Sequence, residues 1–313
     1  MDKSSRIYVA GHTGLVGSAL VRHLRANGYT NIITATRSEV DLTNANSVHE
    51  YLCVNRPEYV FDAAARVGGI HANDKYSAEF IYQNLAIQTN IIHNCWRHGV
   101  KKLMFLGSVC IYPKFAPVPV KEEYLLTGEL ESSNQWYATA KIAGIKMCQA
   151  YRKQYGSDFV SVMPCNLFGE GDNFHLENSH VIPALLRKFL EAKAANAPSV
   201  TCWGTGAARR EFLYVDDMAD ACEFLMNNYS DGQIINIGFG EDYTIKELVE
   251  LVAEVTEYKG EIVWDTSKPD GTPKRILDTT RLFGLGWKPK ISLREGLIKT
   301  LNWYSLQEKT REK

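Results

Sequence analysis

The sequence has no cysteine pair at CxxC spacing, no surplus of one charge and no long apolar run. Its seven cysteines, at 53, 95, 110, 148, 165, 202 and 222, are odd in number and scattered. That pattern reads against a disulfide scaffold or a metal-ligand set and for a reducing compartment. Lys and Arg total 35 against 36 Asp and Glu, for a formal charge of −1. No basic stripe interleaved with aromatics appears, so nothing points to nucleic acid and a small partner is expected. No window reaches about 18 uninterrupted apolar residues, so no membrane span is expected. The opening MDKSSRIYVAGHTGLVG is broken by His12 and three glycines and lacks a small-residue cleavage site, which reads against a secretory leader and for the cytoplasm. Internal repeats and low-complexity tracts are also missing.

What is present is a soluble globular composition: 313 residues, 45% of them hydrophobic, enough to bury a large core in two domains or in one with an appended lobe. The first half alternates short β-branched runs (IYVA, NIITAT, YVFDAAA, KLMFLGS) with helical patterns near Ser18 to Asn27, Ala45 to Cys53, Glu79 to His98 and Trp136 to Tyr155. Such alternation predicts the α/β class, a doubly wound parallel sheet of Rossmann type covered by helices on both faces. After FVSVMP the polar, Gly/Asn-rich NLFGEGDNFHLENSH opens a smaller C-terminal α/β substrate lobe. REFLYVDDMADACEFLMNN reads as a strand turning into a helix capped by Asp216 or Asp217, and IINIGFG as a further strand. The expected division is therefore residues 1–165 for the first domain, re-entered by about 212–240, and 166–313 mainly for the lobe, with DYTIKELVELVAEVTEY as its amphipathic helix.

After the first run comes GHTGLVG, in which Gly11, Gly14 and Gly17 surround His12, Thr13, Leu15 and Val16. Glycines between a strand and a helix permit a tight turn and let backbone N–H groups approach a pyrophosphate, although a plain turn would use the same residues. The spacing is G-x-x-G-x-x-G, which departs from the G-x-G-x-x-G fingerprint but keeps its context. At the end of the second run, where a carboxylate would bind the ribose hydroxyls of NAD, the chain reads Ala35, Thr36, Arg37. A guanidinium there suits a 2′-phosphate and favours NADP(H), against the alternative of a solvated surface arginine. Asp41 and Leu42 follow and could contact the adenine.

GSVCIYP places Ser108 and Cys110 two residues apart where the fourth run ends; in an extended chain both would face the same side. QWYATAK sets Tyr137 and Lys141 at i, i+4, on one helix face. With the glycine loop these compose a reductase triad: the ammonium favours tyrosinate character and holds the nicotinamide ribose, the phenol gives a proton to a carbonyl oxygen, and the serine bonds that oxygen. Each residue alone also has an ordinary structural explanation.

GxxGxxG, the terminal serine, YxxxK and REFLYVDDMA together resemble the extended short-chain dehydrogenases/reductases. RVGGIHAN, FIYQN, GSVCIYP, KIAGIK, NSHVIPALLRKF and KPDGTPKR resemble, within them, the GDP-L-fucose synthase family, over essentially the whole chain. The resemblance implies a homodimer that converts the GDP-sugar GDP-4-keto-6-deoxy-D-mannose into GDP-L-fucose with NADPH, by two epimerisations and a 4-reduction. It implies that Cys110 and His180 exchange protons at C3 and C5, with the acid and base assignment left open; the ordinary pKa values of a thiol and an imidazole, about 8.5 and 6.5, suit that work. It further implies that Leu106, Gly107, Pro164, Asn166, Leu167 and His180 join the glycine loop, Arg37, Asp41, Leu42 and Lys141 around the cofactor. Lys188, Trp203, Arg210 and Asp270 fall where the family contacts the GDP-sugar, cations for the diphosphate, an indole for packing and a carboxylate for hydroxyls or guanine. A simple sugar-nucleotide 4-reductase or 4-epimerase would keep the glycines and YxxxK but not Cys110 with His180. A GDP-colitose enzyme could share that pair, and a cofactor-sensing binding protein could share the fold.

Overall fold

The computed structural model of the chain describes residues 1–175, 179–268, 270 and 272–311, with the side chains at 70, 71 and 308–311 excepted. The predicted loop NLFGEGDNFHLENSH and turn KPDGTPK thus fall partly outside the described residues. The first half runs β1 (Ile7–Ala10), α1 (Leu15–Ala26), β2 (Ile32–Ile33), α2 (Ala45–Asn55), β3 (Tyr59–Asp62), α3 (Ile70–Lys75), α4 (Ser77–Arg97), β4 (Lys102–Leu106), α5 (Gln135–Tyr155) and β5 (Asp158–Pro164). β1 and β4 are wholly buried, as expected of strands covered on both faces. All pairs within this sheet are parallel, and the strand Ile235–Ile237 adds to β5, so the six-stranded order is Ile235–Ile237, β5, β4, β3, β1, β2. The order reverses between β1 and β3, and a ligand crevice is expected outside their carboxyl ends. NIITAT gives only the two-residue β2, an edge strand with little to pair against.

Helices α2, α4 and α5 pack as one layer, while α1 packs on the helix Val215–Asn228 as another. The latter helix is not capped by Asp216 or Asp217, contrary to the sequence expectation. Its N-cap is Tyr214, and both aspartates lie in the first turn. Asp217 instead accepts the backbone N–H groups of Lys290 and Ile291, and Asp216 pairs with Arg22 at 3.2 Å. Distant chain thus claimed the carboxylates that a local reading assigned to the cap.

A second apolar cluster joins Phe168, Phe174, Ile182, Leu186, Phe189, Val200, Phe212, Tyr214, Leu248, Val252 and Leu297. It is built from the helices Val181–Ala194, Ile245–Thr256 and Leu293–Arg311 and the parallel pair Ser199–Trp203 with Glu261–Asp265. Thr244 and Glu247 form a reciprocal capping box at the start of the amphipathic helix Ile245–Thr256. Arg209–Arg210 pairs with both Tyr243–Thr244 and Lys274–Arg275.

Glu211 ties these parts together. Its Oε1 accepts the Gly240 N–H at 2.8 Å and its Oε2 the Leu277 N–H at 3.0 Å. Burial pushes its carboxyl from the ordinary 4.5 up to about 7, the N–H bonds pulling the other way. The folded chain therefore holds a proton that the unfolded chain releases near pH 4.5, a stabilisation present at low pH and lost as pH rises through about 7. Urea unfolding at pH 5 and pH 7.5 should show wild type losing ~2 kcal/mol more across that interval than Glu211→Gln, whose amide does not titrate. Equal losses in the two proteins would remove Glu211 from this role.

Candidate active site

The glycine loop connects β1 to α1 at the point where the strand order reverses. Gly11 has φ +78°, and a Cβ there would stand 2.8 Å from Ala63 O and Ala64 Cα, just past β3. Gly17 is pressed on the loop from the helix side, where a Cβ would fall 2.1 Å from Gly11 O. Gly14 is different: it is the N-cap of α1, and the nearest atom to a Cβ would be Gly11 O at 3.5 Å. The fold needs Gly11 and Gly17 but leaves the space over Gly14 open. α1 starts with no side-chain cap and no acidic residue in its first turn, and the buried His12 Nδ1 has no hydrogen-bond partner. Backbone donors, a positive helix end and an orphaned polar atom together fit a dinucleotide diphosphate.

Arg37 stands exposed beyond β2, with no ion-pair partner among the described residues. A solvated cation at that position fits a 2′-phosphate. Asp41 accepts from the Thr43 N–H and hydroxyl, which hold its carboxyl below the ordinary range, with a smaller pull from Arg37. Leu42 O accepts from Asn90 Nδ2 at 3.0 Å.

β4 ends at Leu106, and Gly107 continues it with its N–H on Val162 O at 2.8 Å. A Cβ at Gly107 would meet Met163 Sδ at 2.4 Å. Beyond it the chain does not stay extended, and the expectation that Ser108 and Cys110 share a face by strand alternation is corrected. Val109–Ile111 form one 3-10 turn, and the Ser108 hydroxyl oxygen caps it by accepting the Cys110 N–H at 3.2 Å. The cap ties the Ser108 side chain to the backbone of Cys110. Asn134, the N-cap residue of α5, donates from Nδ2 to Cys110 Sγ at 3.4 Å.

Tyr137 and Lys141 sit on the first two turns of α5. Burial raises the Tyr137 phenol above its ordinary range, the charge of Cys110 adds to the rise, and polar contact with Ser108 opposes it. Lys141 is 2% exposed and donates to Leu106 O at 2.8 Å, with Nζ 5.9 Å from the centre of the Tyr137 ring. Burial lowers the ammonium to about 8, while Asp62 pulls it back up. Burial thus works against the tyrosinate character expected of this pair, and the Lys141 ammonium is aimed at the Leu106 carbonyl.

Asp62, at the end of β3, was not singled out by the sequence. It is fully buried, its carboxyl is raised to about 6 by burial against the pull of Lys141, and its Oδ2 has no partner. A lone Asp in YVFDAAA carries no pattern that separates it from a strand-end residue. Asn134 and Arg275 were missed for the same reason. Arg275 lies inside KPDGTPKR, but only coordinates reveal that Nη1 donates to Val109 O at 3.1 Å.

Pro164 ends β5, and Asn166 and Leu167 begin the strand Asn166–Phe168, with Asn166 Nδ2 on Glu211 O at 2.9 Å. His180 is the exposed N-cap of the helix Val181–Ala194, its Nδ1 4.0 Å from Asp172 Oδ1. Among the described residues, no hydrogen bond or ion pair joins His180 to Ser108, Cys110 or Tyr137. Lys188 Nζ donates to Thr201 O. Trp203 is 71% exposed. Arg210 Nη1 donates to Thr272 O at 2.5 Å, and its guanidinium is lowered by burial and by Arg275. Asp270 accepts the Thr205 N–H at 2.9 Å and hydroxyl at 2.6 Å, bonds that lower its carboxyl and brace the loop after Trp203.

The sequence profile of the NAD dependent epimerase/dehydratase family matches residues 7–238. GDP-L-fucose synthase 1 of Arabidopsis thaliana is 58% identical over 303 residues, covering 97% of this chain and 94% of that protein. The GDP-L-fucose synthase of Escherichia coli strain K12 is 52% identical over 308 residues, covering 96% of each. Among solved structures, a GDP-L-fucose synthetase from Naegleria fowleri bound to NADP is 28% identical with a TM-score of 0.92, covering 99% of this chain and 97% of that one. With a profile that spans most of the chain and relatives alike along nearly all of it, the chain belongs to the NAD dependent epimerase/dehydratase family and, within it, to the GDP-L-fucose synthase family.

Proposed function

We propose that this chain carries out the NADPH-dependent 3,5-epimerisation and 4-reduction of GDP-4-dehydro-6-deoxy-D-mannose to GDP-L-fucose. The observation that carries this reading is a thiol held between the two elements that carry the hydroxyl and the phenol: the Ser108 hydroxyl oxygen accepts the Cys110 N–H at 3.2 Å, and Asn134, three residues before Tyr137 at the head of α5, donates to Cys110 Sγ at 3.4 Å. A plain reductase needs the hydroxyl and the phenol. Exchange of carbon-bound protons next to the same ketone needs a further acid and base.

In this reading Ser108 and Tyr137 hydrogen-bond the C4 oxygen. When a proton leaves C3 or C5, the electron pair moves to that oxygen, and the two donors stabilise the enolate. Cys110 and His180 take and return the carbon-bound protons. When bound, NADPH supplies the hydride for C4. Tyr137, whose burial keeps it protonated, gives its proton to the C4 oxygen in that last step. Lys141 holds the nicotinamide ribose. The loop from Gly11 to Gly17, with His12, Thr13, Leu15 and Val16, holds the diphosphate, while Arg37 takes the 2′-phosphate and Asp41 and Leu42 flank the adenine. Leu106, Gly107, Pro164, Asn166 and Leu167, at the ends of β4 and β5, line the nicotinamide side.

We assign residues 1–165, with about 212–240, to NADP(H) and the remainder mainly to the GDP-sugar, through Lys188, Trp203, Arg210 and Asp270. We further propose a homodimer working in the cytoplasm. All seven cysteines are unpaired, as suits a reducing compartment, and no helix among the described residues is long and apolar enough to cross a membrane.

Cys110→Ser should cut deuterium entry from solvent into C3 and C5 by ~100-fold or more while NADPH titration by fluorescence is unchanged. Normal deuterium entry would remove Cys110 from the reaction. Tyr137→Phe should slow deuterium entry and NADPH oxidation together, by ~100-fold, because one oxyanion site serves every step. Loss of NADPH oxidation alone would separate the two chemistries. Arg37→Ala should raise KM for NADPH about tenfold to a hundredfold and leave KM for NADH unmoved; equal effects on both would place the 2′-phosphate elsewhere.

A further inference from the structure

Cys110 is the only cysteine besides Cys53 that is not buried. Two polar groups from separate parts of the chain converge on its turn. Asn134, at the head of α5, donates to Sγ at 3.4 Å, and its Oδ1 is buried with no partner. Arg275 arrives from the strand Lys274–Arg275, outside the six-stranded sheet. It donates from Nη1 to Val109 O at 3.1 Å and from Nη2 to Pro113 O at 3.3 Å and Lys114 O at 3.4 Å. One guanidinium thus spans the backbone on both sides of Cys110.

Those contacts spend the fork of Arg275 on neutral carbonyls, and no carboxylate pairs with it among the described residues. The nearby Glu131 is engaged by Lys114 at 3.0 Å. Burial works most against the charge of Arg275, as does Arg210, its register partner on the next strand, while Cys110 and Glu131 favour it. Facing Cys110 are Arg275, the Tyr137 phenol and the neutral Asn134 amide. Arg275 is the cation in that set, and among the described residues no ion pair neutralises it.

We propose that Arg275, assisted by Asn134, is a positioning residue for Cys110: it pins the turn that carries the thiol and supplies the positive field that favours thiolate over thiol. The proposal deepens the reading of Cys110 as a proton-transfer group and rests on it. In the step concerned, the C–H bond at C3 or C5 breaks, the S–H bond forms, and the electron pair goes to the C4 oxygen. A guanidinium held on the carbonyls of the turn that carries the thiol lowers the cost of presenting the sulfur as the anion that begins this step.

The test reads the thiol directly. In a Cys53→Ser background, iodoacetamide labelling of Cys110 is followed by mass spectrometry across pH, giving the midpoint at which the thiolate forms. Arg275→Met should move that midpoint up by about one unit, and Arg275→Lys, which keeps the charge but loses the fork, should bring it back. Asn134→Ala should move it the same way by less, and Asn134 makes no cap bond to α5, so its loss leaves the helix start intact. A purely structural Arg275 would change labelling rates through exposure and leave the midpoint where it was; an unmoved midpoint in both Arg275→Met and Asn134→Ala overturns the proposal. Deuterium entry into C3 and C5 in Cys110→Ser is scored separately. Its failure to fall would defeat the assignment of Cys110 as a proton-transfer group, whatever the labelling midpoint does.

Discussion

Helix α5 lies so near β4 that a methyl group on Gly144 would stand 2.4 Å from Phe105 Cζ. Gln88 of α4 fastens the same helix by donating to Ala140 O at 2.5 Å. Everything in the candidate site depends on this contact. Ser108 and Cys110 are fixed to the end of β4, Tyr137 and Lys141 to the first turns of α5, and the closeness of strand and helix sets the distance between them. Catalytic geometry tolerates little error, and a packed interface holds it better than a loop does.

The electrostatics follow from the same burial. Asp62 and Lys141 attract one another, yet the carboxyl is raised to about 6 and the ammonium lowered to about 8. For both groups loss of water outweighs the partner's charge. The phenol of Tyr137 behaves alike. Three titratable groups held away from water in one place, one carboxyl oxygen among them without a partner, mark this as the candidate functional site.

The fold was legible wherever a pattern was local and long. β1, β3, β4 and β5, the helices α1, α2, α4 and α5 and the helix at Ile245 follow from periodicity and turn chemistry, while the short α3 does not. Legibility failed where distant chain decides. Nothing in VDDMA says that the N–H groups of Lys290 and Ile291 will recruit Asp217. Nothing in GSVCIYP says that the strand stops at Leu106 and that a hydroxyl will turn the chain. In the candidate site, motif spacing pointed to Ser108, Tyr137 and Lys141, and the family resemblance to Cys110, because these carry a pattern along the chain. Asp62, Asn134 and Arg275 reach the site from other parts of the chain, which leaves no rhythm to read.

The three glycines of the β1–α1 loop do not serve one purpose. Architecture alone demands the first and third, since even a single carbon at either would collide with main chain, whereas it is indifferent to the second. Among randomised versions of this segment, those altered at Gly11 or Gly17 would be missing from the soluble fraction altogether. Those altered at Gly14 would accumulate as intact protein, because the fold makes no demand for a glycine there.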